Sequence, residues 1–273
     1  MKKRQKGSRM WINVLFIIGC LIFIIPFYLA LINSLKTAPE AQSLNLALPT
    51  EFHFENYKTV FEEGKLMRAI LNGLIYSTVG VGATLFLCSL TAYIIARRND
   101  KLSRFLNSYF MLGIIIPTSI IATFLVLKAT HLIGTYTGLI LIYIANSIPM
   151  AIFLYRGFIV SIPKELDEAA FIDGAGLIRT FFSVIFPTLK PITATVFVFT
   201  FMNIWNDFTV QLYYGSQKMR AMPLSVYNFF GIYSQSWNLV FADVIMTMVP
   251  VLLVYFLGQK YIISGMTQGA VKG

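Results

Sequence analysis

Six stretches of this chain, residues 11–35, 69–96, 105–127, 138–155, 192–211 and 239–257, run almost without an ionisable side chain. Crossing about 30 Å of hydrocarbon at about 1.5 Å per residue takes about 20 apolar residues in a helix. Each stretch is long enough to do so. Hydrocarbon offers no partner to a backbone N–H or C=O, so a spanning segment must satisfy its own groups, and a helix does this within one segment. The expectation is an all-α membrane protein with six transmembrane helices. The rest of the sequence agrees, with 57% hydrophobic and 12% charged residues and a mean hydropathy of +0.71. A soluble domain carries about twice that share of charge.

The net charge of +10 invites a nucleic-acid reading, but the basic residues sit between the apolar stretches. Membrane orientation accounts for them better. With the N-terminus inside, 15 of the 22 Lys and Arg residues fall on the cytoplasmic side, including the cluster Arg97, Arg98, Lys101 and Arg104. The opposite orientation puts that cluster in a short external loop, against the positive-inside rule. Both termini are therefore expected in the cytoplasm. The opening Lys-Lys-Arg-Gln-Lys resembles the start of a secretory signal, yet the apolar run after it exceeds the usual length of about 7 to 15 residues and lacks a small-residue cleavage site. It reads as a retained first helix. The resulting organisation is a basic cytoplasmic N-terminus (1–10), a first helix (11–35), an external loop (36–68), a core with helices two to six (69–263), and a cytoplasmic tail (264–273).

Little here suits chemistry on a substrate. Cys20 and Cys88 lie in different spans without metal or redox spacing, and His53 and His131 have no nucleophile or ligand cluster beside them in sequence. No metal is expected. The external segment 36–67 carries Pro39, Pro49 and five glutamates; it reads as a polar cap. Within it Phe52, Phe54, Tyr57, Val60 and Phe61 suit a short helix at the membrane interface. A second external segment, 215–237, mixes aromatic residues with neutral amides and hydroxyls. Tyr227, Phe230 and Tyr233 there fit either the apolar faces of a sugar ring or an interfacial aromatic belt.

The loop between the fourth and fifth stretches, residues 161–190, is the most informative. Ser161 is suited to cap a helix, Pro163 to its first turn, and Glu165 and Asp167 to the positive end of its dipole. Ala169 and Ala170 leave a small-residue surface for close approach. Gly174 and Gly176 permit the backbone angles of a turn. A second short helix follows, with Phe181, Phe182, Ile185 and Phe186 as an apolar stripe, before Pro187 and Pro191 break it. The expectation is a surface helix-turn-helix.

The order Glu168-Ala169-Ala170, Gly174 four residues on, and Ile185-Phe186-Pro187 resembles the EAA loop of ATP-binding-cassette importer permeases, in particular the second permease of maltose-type carbohydrate systems. Phe186 stands where that family frequently has leucine. Asn72-Gly73, Trp205-Asn206-Asp207, Met222-Pro223-Leu224 and the tail Gly265 to Gly273 extend the resemblance over most of the chain; the first 65 residues are less diagnostic. It implies a multi-pass subunit of a bacterial or archaeal cytoplasmic membrane. Glu168, Ala169, Ala170, Asp173, Gly174, Ile185 and Pro187 would seat in a cytoplasmic ATPase. Gln268, Gly269 and Lys272 of the tail would make a second contact with it. The implied partners are a second, related permease, two ATPase subunits, an external sugar-binding protein and membrane lipid, with no nucleic acid. No Gly-x-x-x-x-Gly-Lys-Ser/Thr phosphate loop occurs in the sequence, so ATP and magnesium belong to the partner ATPase and this chain binds no cofactor.

Such an assembly works by alternating access. Along the path, Asn146, Ser147 and Asn203 fall at mid-depth and Asn206 nearer the outer end, with Pro117 and Pro149 able to loosen their helices. Neutral groups of this kind fit a neutral, polyhydroxylated cargo. Asp207 and Asp243 fall near external ends; Asp207 is read as orienting Asn206, and Asp243 as capping the last span. The alternative is a secondary carrier or channel for a small neutral solute, which would need neither an ATPase nor the 161–190 loop.

Overall fold

The computed structural model describes residues 2–230 and 236–270, with side chains described for 12–230 and 236–259. Its regular structure is helical. In chain order the helices are α1 (Lys2–Asn33), α2 (Ala38–Gln42), α3 (Glu55–Glu63), α4 (Leu66–Arg97), α5 (Lys101–Ile115), α6 (Ile120–Ala129), α7 (Tyr136–Ile159), α8 (Glu165–Ile172), α9 (Leu177–Thr180), α10 (Phe186–Thr188), α11 (Lys190–Asn206), α12 (Thr209–Tyr214), α13 (Met222–Ser225) and α14 (Trp237–Ala270).

Four helices are long and apolar enough to cross a bilayer by themselves: Ile12–Asn33 of α1, α4, α7, and Trp237–Gln259 of α14. Of the other two expected spans, the third is broken and the fifth is preceded by a bend. α5 and α6 meet at a bend of 118°, and the segment Leu177–Thr188 meets α11 at 78°. Pro117 accounts for the first break. It forces the residue before it out of the helical region, and Ile116 is extended at φ −80°, ψ 117°. Ser119 then caps α6 by accepting from the N–H of Ala122. Pro149 lies inside α7 and does not break it. The expected fifth span, 192–211, stops early: α11 ends at Asn206, and Asp207 is extended at φ −73°, ψ 132°.

The chain divides into two compact units, Met1–Met67 with Ser225–Val249, and Arg68–Leu224 with Pro250–Gly273. In the first, the predicted polar cap is built on a hydrogen-bonded frame. Asn56 Nδ2 donates to the carbonyls of Ser34 (2.8 Å) and Lys36 (2.9 Å), and Asn238 Nδ2 donates to Asn56 Oδ1 at 2.9 Å. Lys36, 2% exposed, donates to Asn33 Oδ1 and to both oxygens of Asn45. The short helix expected over Phe52 to Phe61 is α3, which begins only at Glu55, with Val60 buried and the Tyr57 hydroxyl 2.7 Å from that of Ser34. Asp243 does not cap α14, which begins six residues earlier. It is fully buried and accepts from the Ser225 hydroxyl at 2.8 and 3.0 Å.

The second unit holds a close apolar cluster: Cys88, Ala92 and Tyr93 of α4, Ala151, Ile152, Tyr155 and Ile159 of α7, and Phe181, Ile185, Leu189, Ile192 and Val196 from the segment leading into α11. At the other end of the same helices, a Cβ on Gly73 would sit 3.1 Å from the Trp205 ring and one on Gly80 would sit 2.8 Å from Ile204 Cδ1. Glycine there lets α4 approach α11. The polar ends are paired as well. Arg97 meets Asp167 at one end; at the other, Asn72 meets Arg220 and the N–H of Gly134 donates to the carbonyl of Tyr214.

Candidate functional site

Residues 161–190 form the expected hairpin of short helices, with two corrections at its start. Ser161 is not the cap: its hydroxyl donates back to the Phe158 carbonyl at 2.7 Å, and α8 begins at Glu165 after Lys164, which makes no side-chain capping bond. Asp167 does more than face a helix dipole. Its carboxylate is buried, accepts from the Tyr93 hydroxyl at 2.5 Å, and lies 2.8 Å from the Arg97 guanidinium in an ion pair angled off a hydrogen-bond direction. Arg97 also donates to the carbonyls of Ile159 (3.4 Å), Ile162 (3.1 Å) and Pro163 (3.4 Å). One guanidinium thus satisfies the end of α7 and the linker into α8. Breaking such a buried pair from one side costs about 3–5 kcal/mol, because the remaining charge is stranded.

Gly174 makes the turn at φ +82°, in the left-handed region where a side chain is strained. Gly176, at φ −74°, simply precedes α9. The second limb passes through a π-helical turn at Phe181–Ile185. Pro187 sits in the first turn of α10, where its missing N–H is harmless, and the chain bends after it at Leu189.

The seven residues expected to meet an ATPase do not share one face. Glu168, Ala169, Asp173, Gly174 and Pro187 are exposed. Ala170 and Ile185 point inward, 7% and 0% exposed, because the helical period that presents Ala169 turns its neighbour toward the bundle and Ile185 packs in the apolar cluster. What sequence reasoning missed are exposed apolar side chains on the same surface: Ile172 at 86%, Ile178 at 74%, with Leu177, Phe171 and Phe182 about half exposed. It also missed Tyr93 and Arg97. Arg97 carries a visible signal, the first cation after an apolar run, but its partner lies 70 residues on.

The path residues come together in part. Asn146, Ser147 and Asn203 line one cavity of about 340 Å³ with Tyr143, Phe199 and Thr200. Asn206 is exposed and is not part of that lining; Asp207 is. Asp207 accepts from the Tyr143 hydroxyl (3.1 Å) and from the N–H of Val210 (2.9 Å), which ties it to the first turn of α12. Asn146 also accepts from the Thr118 hydroxyl at 3.4 Å, beside the break between α5 and α6.

Of the external loop residues, Tyr227 is exposed, while Phe230 packs edge-on against Trp237 with ring centroids 5.6 Å apart. Their neighbour Asn228 donates to the Gly64 carbonyl at 3.1 Å. This segment is in large part packed on its own unit. Tyr233, Lys272 and the side chains of Gln268 and Gly269 lie outside the described residues.

Residues 85–268 match the family model described as "Binding-protein-dependent transport system inner membrane component". The chain is 35% identical over 274 residues to the melibiose/raffinose/stachyose import permease protein MelC of Bacillus subtilis, covering 99% of both chains. It is 33% identical to the multiple sugar-binding transport system permease protein MsmG of Streptococcus mutans over the full length of both. Among solved structures, a chain of a bacterial ABC transporter involved in the import of the acidic polysaccharide alginate superposes with a TM-score of 0.81 at 22% identity, covering 91% of this chain and 94% of that one.

Proposed function

The chain belongs to the family of binding-protein-dependent transport system inner membrane components, and from that premise we propose that it is the membrane-spanning permease subunit of an ATP-driven carbohydrate importer. The observation that carries this is full-length similarity to sugar import permeases. Oligosaccharides, the class of the sugars named for the Bacillus subtilis relative, are the expected cargo.

Six crossings with both termini inside remain the best reading of the topology. Arg97 and Asp167 touch, so the end of α4 and the α8 hairpin lie at one membrane face. With α7 crossing once between them, α5 and α6 together must cross once as well. The basic residues around Arg97 support that face as the cytoplasmic one.

The hairpin is then available to a cytoplasmic ATPase pair. Glu168, Ala169, Asp173, Gly174 and Pro187 supply the contact, ringed by Ile172 and Ile178, and an exposed apolar patch edged with carboxylates is what a partner surface requires. Gln268, Gly269 and Lys272 add a second contact by family resemblance. ATP and magnesium bind the partner. A second permease completes the path, an external binding protein delivers cargo, and this chain alternates between outward and inward access without changing the substrate. The cavity of Asn146, Ser147 and Asn203, with the Phe199 ring, offers neutral hydrogen bonds and an apolar wall to a sugar.

The test is purification of the chain with its partners in mild detergent, reconstitution in proteoliposomes, and uptake of radiolabelled melibiose, raffinose and stachyose with ATP inside. Accumulation of any one that depends on ATP and on the binding protein supports the reading; activity of this chain alone without ATP defeats it.

A further inference from the structure

The two limbs of the hairpin are attached to the bundle in different ways. The second limb is packed: Phe181, Ile185 and Leu189 sit in the apolar cluster with α4 and α7. The first limb is not. Of the eight residues of α8 only Asp167 and Ala170 are buried, and none joins that cluster. It is flanked by Pro163, which cannot extend a helix backward, and by Gly174 at φ +82°. Ile162 just before it reaches the cluster and α8 touches the second limb, but no residue of α8 itself is anchored in that cluster, which leaves its orientation weakly held by apolar contact.

A buried polar cluster fixes it. Asp167 Oδ1 accepts a hydrogen bond from the Tyr93 hydroxyl at 2.5 Å, Asp167 Oδ2 faces Arg97 at 2.8 Å, and Arg97 donates to the carbonyls of Ile162 and Pro163 immediately before α8. The side chains of Arg97 and Asp167 are 13% and 9% exposed. Tyr93 is itself fixed against Phe181, ring centroids 5.2 Å apart, so the polar cluster also touches the packed limb. The carboxylate takes one hydrogen bond and one ion pair while Arg97 adds hydrogen bonds to the carbonyls before α8, and directional polar contacts of this kind fix the orientation of a helix as apolar contact does not.

We infer that Tyr93, Arg97 and Asp167 form the joint through which displacement of the hairpin by the ATPase is passed to the membrane helices. They are positioning residues and touch neither nucleotide nor cargo. The inference rests on the importer reading. A lever moves its load only if its attachment holds, so loosening this joint leaves ATP hydrolysis running while transport fails.

The experiment uses the reconstituted complex and whichever of melibiose, raffinose and stachyose the wild type accumulates, and reads sugar moved per ATP hydrolysed. Asp167→Asn is expected to co-purify with its ATPase and hydrolyse ATP, with that ratio down about tenfold, the size of a typical coupling free energy. Tyr93→Phe, which keeps the ring and the ion pair, is expected to lower it about threefold, as loss of one hydrogen bond does. Asp167→Glu is expected to recover part of the loss. An unchanged ratio in an assembled Asp167→Asn complex overturns the joint. Should Asp167→Asn not assemble, an unchanged ratio in Tyr93→Phe overturns it instead. A wild-type complex that accumulates none of the three sugars overturns the importer reading, and the joint with it.

Discussion

The side-chain amide of Asn72 donates to the carbonyl of Arg220 at 2.9 Å, 148 residues further along the chain, and to that of Lys218 at 3.0 Å. Its oxygen accepts from the Tyr136 hydroxyl at 2.8 Å. One asparagine at the start of α4 therefore holds the segment after α12 and the first residue of α7. Asn72→Ala leaves two carbonyls and a hydroxyl without this partner and is expected to cost about 1–3 kcal/mol, seen as a lowered thermal midpoint in detergent. Asn72→Asp, which sets a carboxylate against two carbonyls, is expected to cost more.

Gly174 occupies the left-handed region with nothing within 4 Å of where a Cβ would lie. Strain at the backbone is thus the whole cost of a side chain there, about 1–2 kcal/mol. Gly174→Val is expected to insert normally and lose most ATP-dependent uptake; Gly174→Asn, which tolerates this region, is expected to retain much of it. Equal uptake by the valine variant and the wild type counts against the turn's role.

A Cβ on Gly113 would fall 2.8 Å from Pro149 Cγ, and the proline ring cannot swing away. Gly113→Ala forces α5 from α7 next to the break at Pro117. Overpacking of this kind costs about 1–3 kcal/mol. Slower maximal uptake with an unchanged half-saturating sugar concentration is the expected result.

Asn146→Ala and Asn203→Ala each remove an amide from the cavity wall. If cargo bonds to them, the half-saturating concentration rises by roughly threefold to tenfold, one hydrogen bond's worth, while ATPase activity without sugar stays constant. An effect on expression alone assigns these amides to helix packing.

Glu40 accepts from the Thr50 hydroxyl and from the N–H and hydroxyl of Thr37, and these bonds, that of Thr50 foremost, lower its pKa from 4.5 to about 2. A depressed carboxyl stabilises the fold fully above its unfolded value near 4.5 and loses that contribution as pH falls through about 2. Carboxyl-labelled NMR should find one glutamate titrating well below the rest, and Thr50→Val should move it upward.

How far such features are legible beforehand depends on whether their cause is local. The apolar stretches become helices because hydrocarbon leaves the backbone no other choice, and the ends of α4 and α7 fall within a few residues of expectation. The break at Pro117 was not read as a bend of 118°, since Pro26, Pro149 and Pro250 all lie within unbroken helices. The difference lies in Ser119, which starts a new helix two residues later. In the hairpin the turn at Gly174 was readable from one residue. The inward aim of Ala170 and Ile185 was not, because a motif gives order along the chain and not the direction of the bundle. Asp167 was read from its own helix alone. Arg97, which defines its role, comes from another.

The bend between α5 and α6 also bears on how the chain enters the membrane. At about 1.5 Å per residue, α5 with 15 residues reaches about 22 Å and α6 with 10 reaches about 15 Å. Neither is long enough to cross about 30 Å of hydrocarbon by itself, so on the six-crossing proposal the two must enter the membrane together. At their junction the Ile116 N–H still donates to the Leu112 carbonyl and the Ser119 carbonyl accepts from the Thr123 N–H, so the break leaves few backbone groups for neighbouring helices to satisfy.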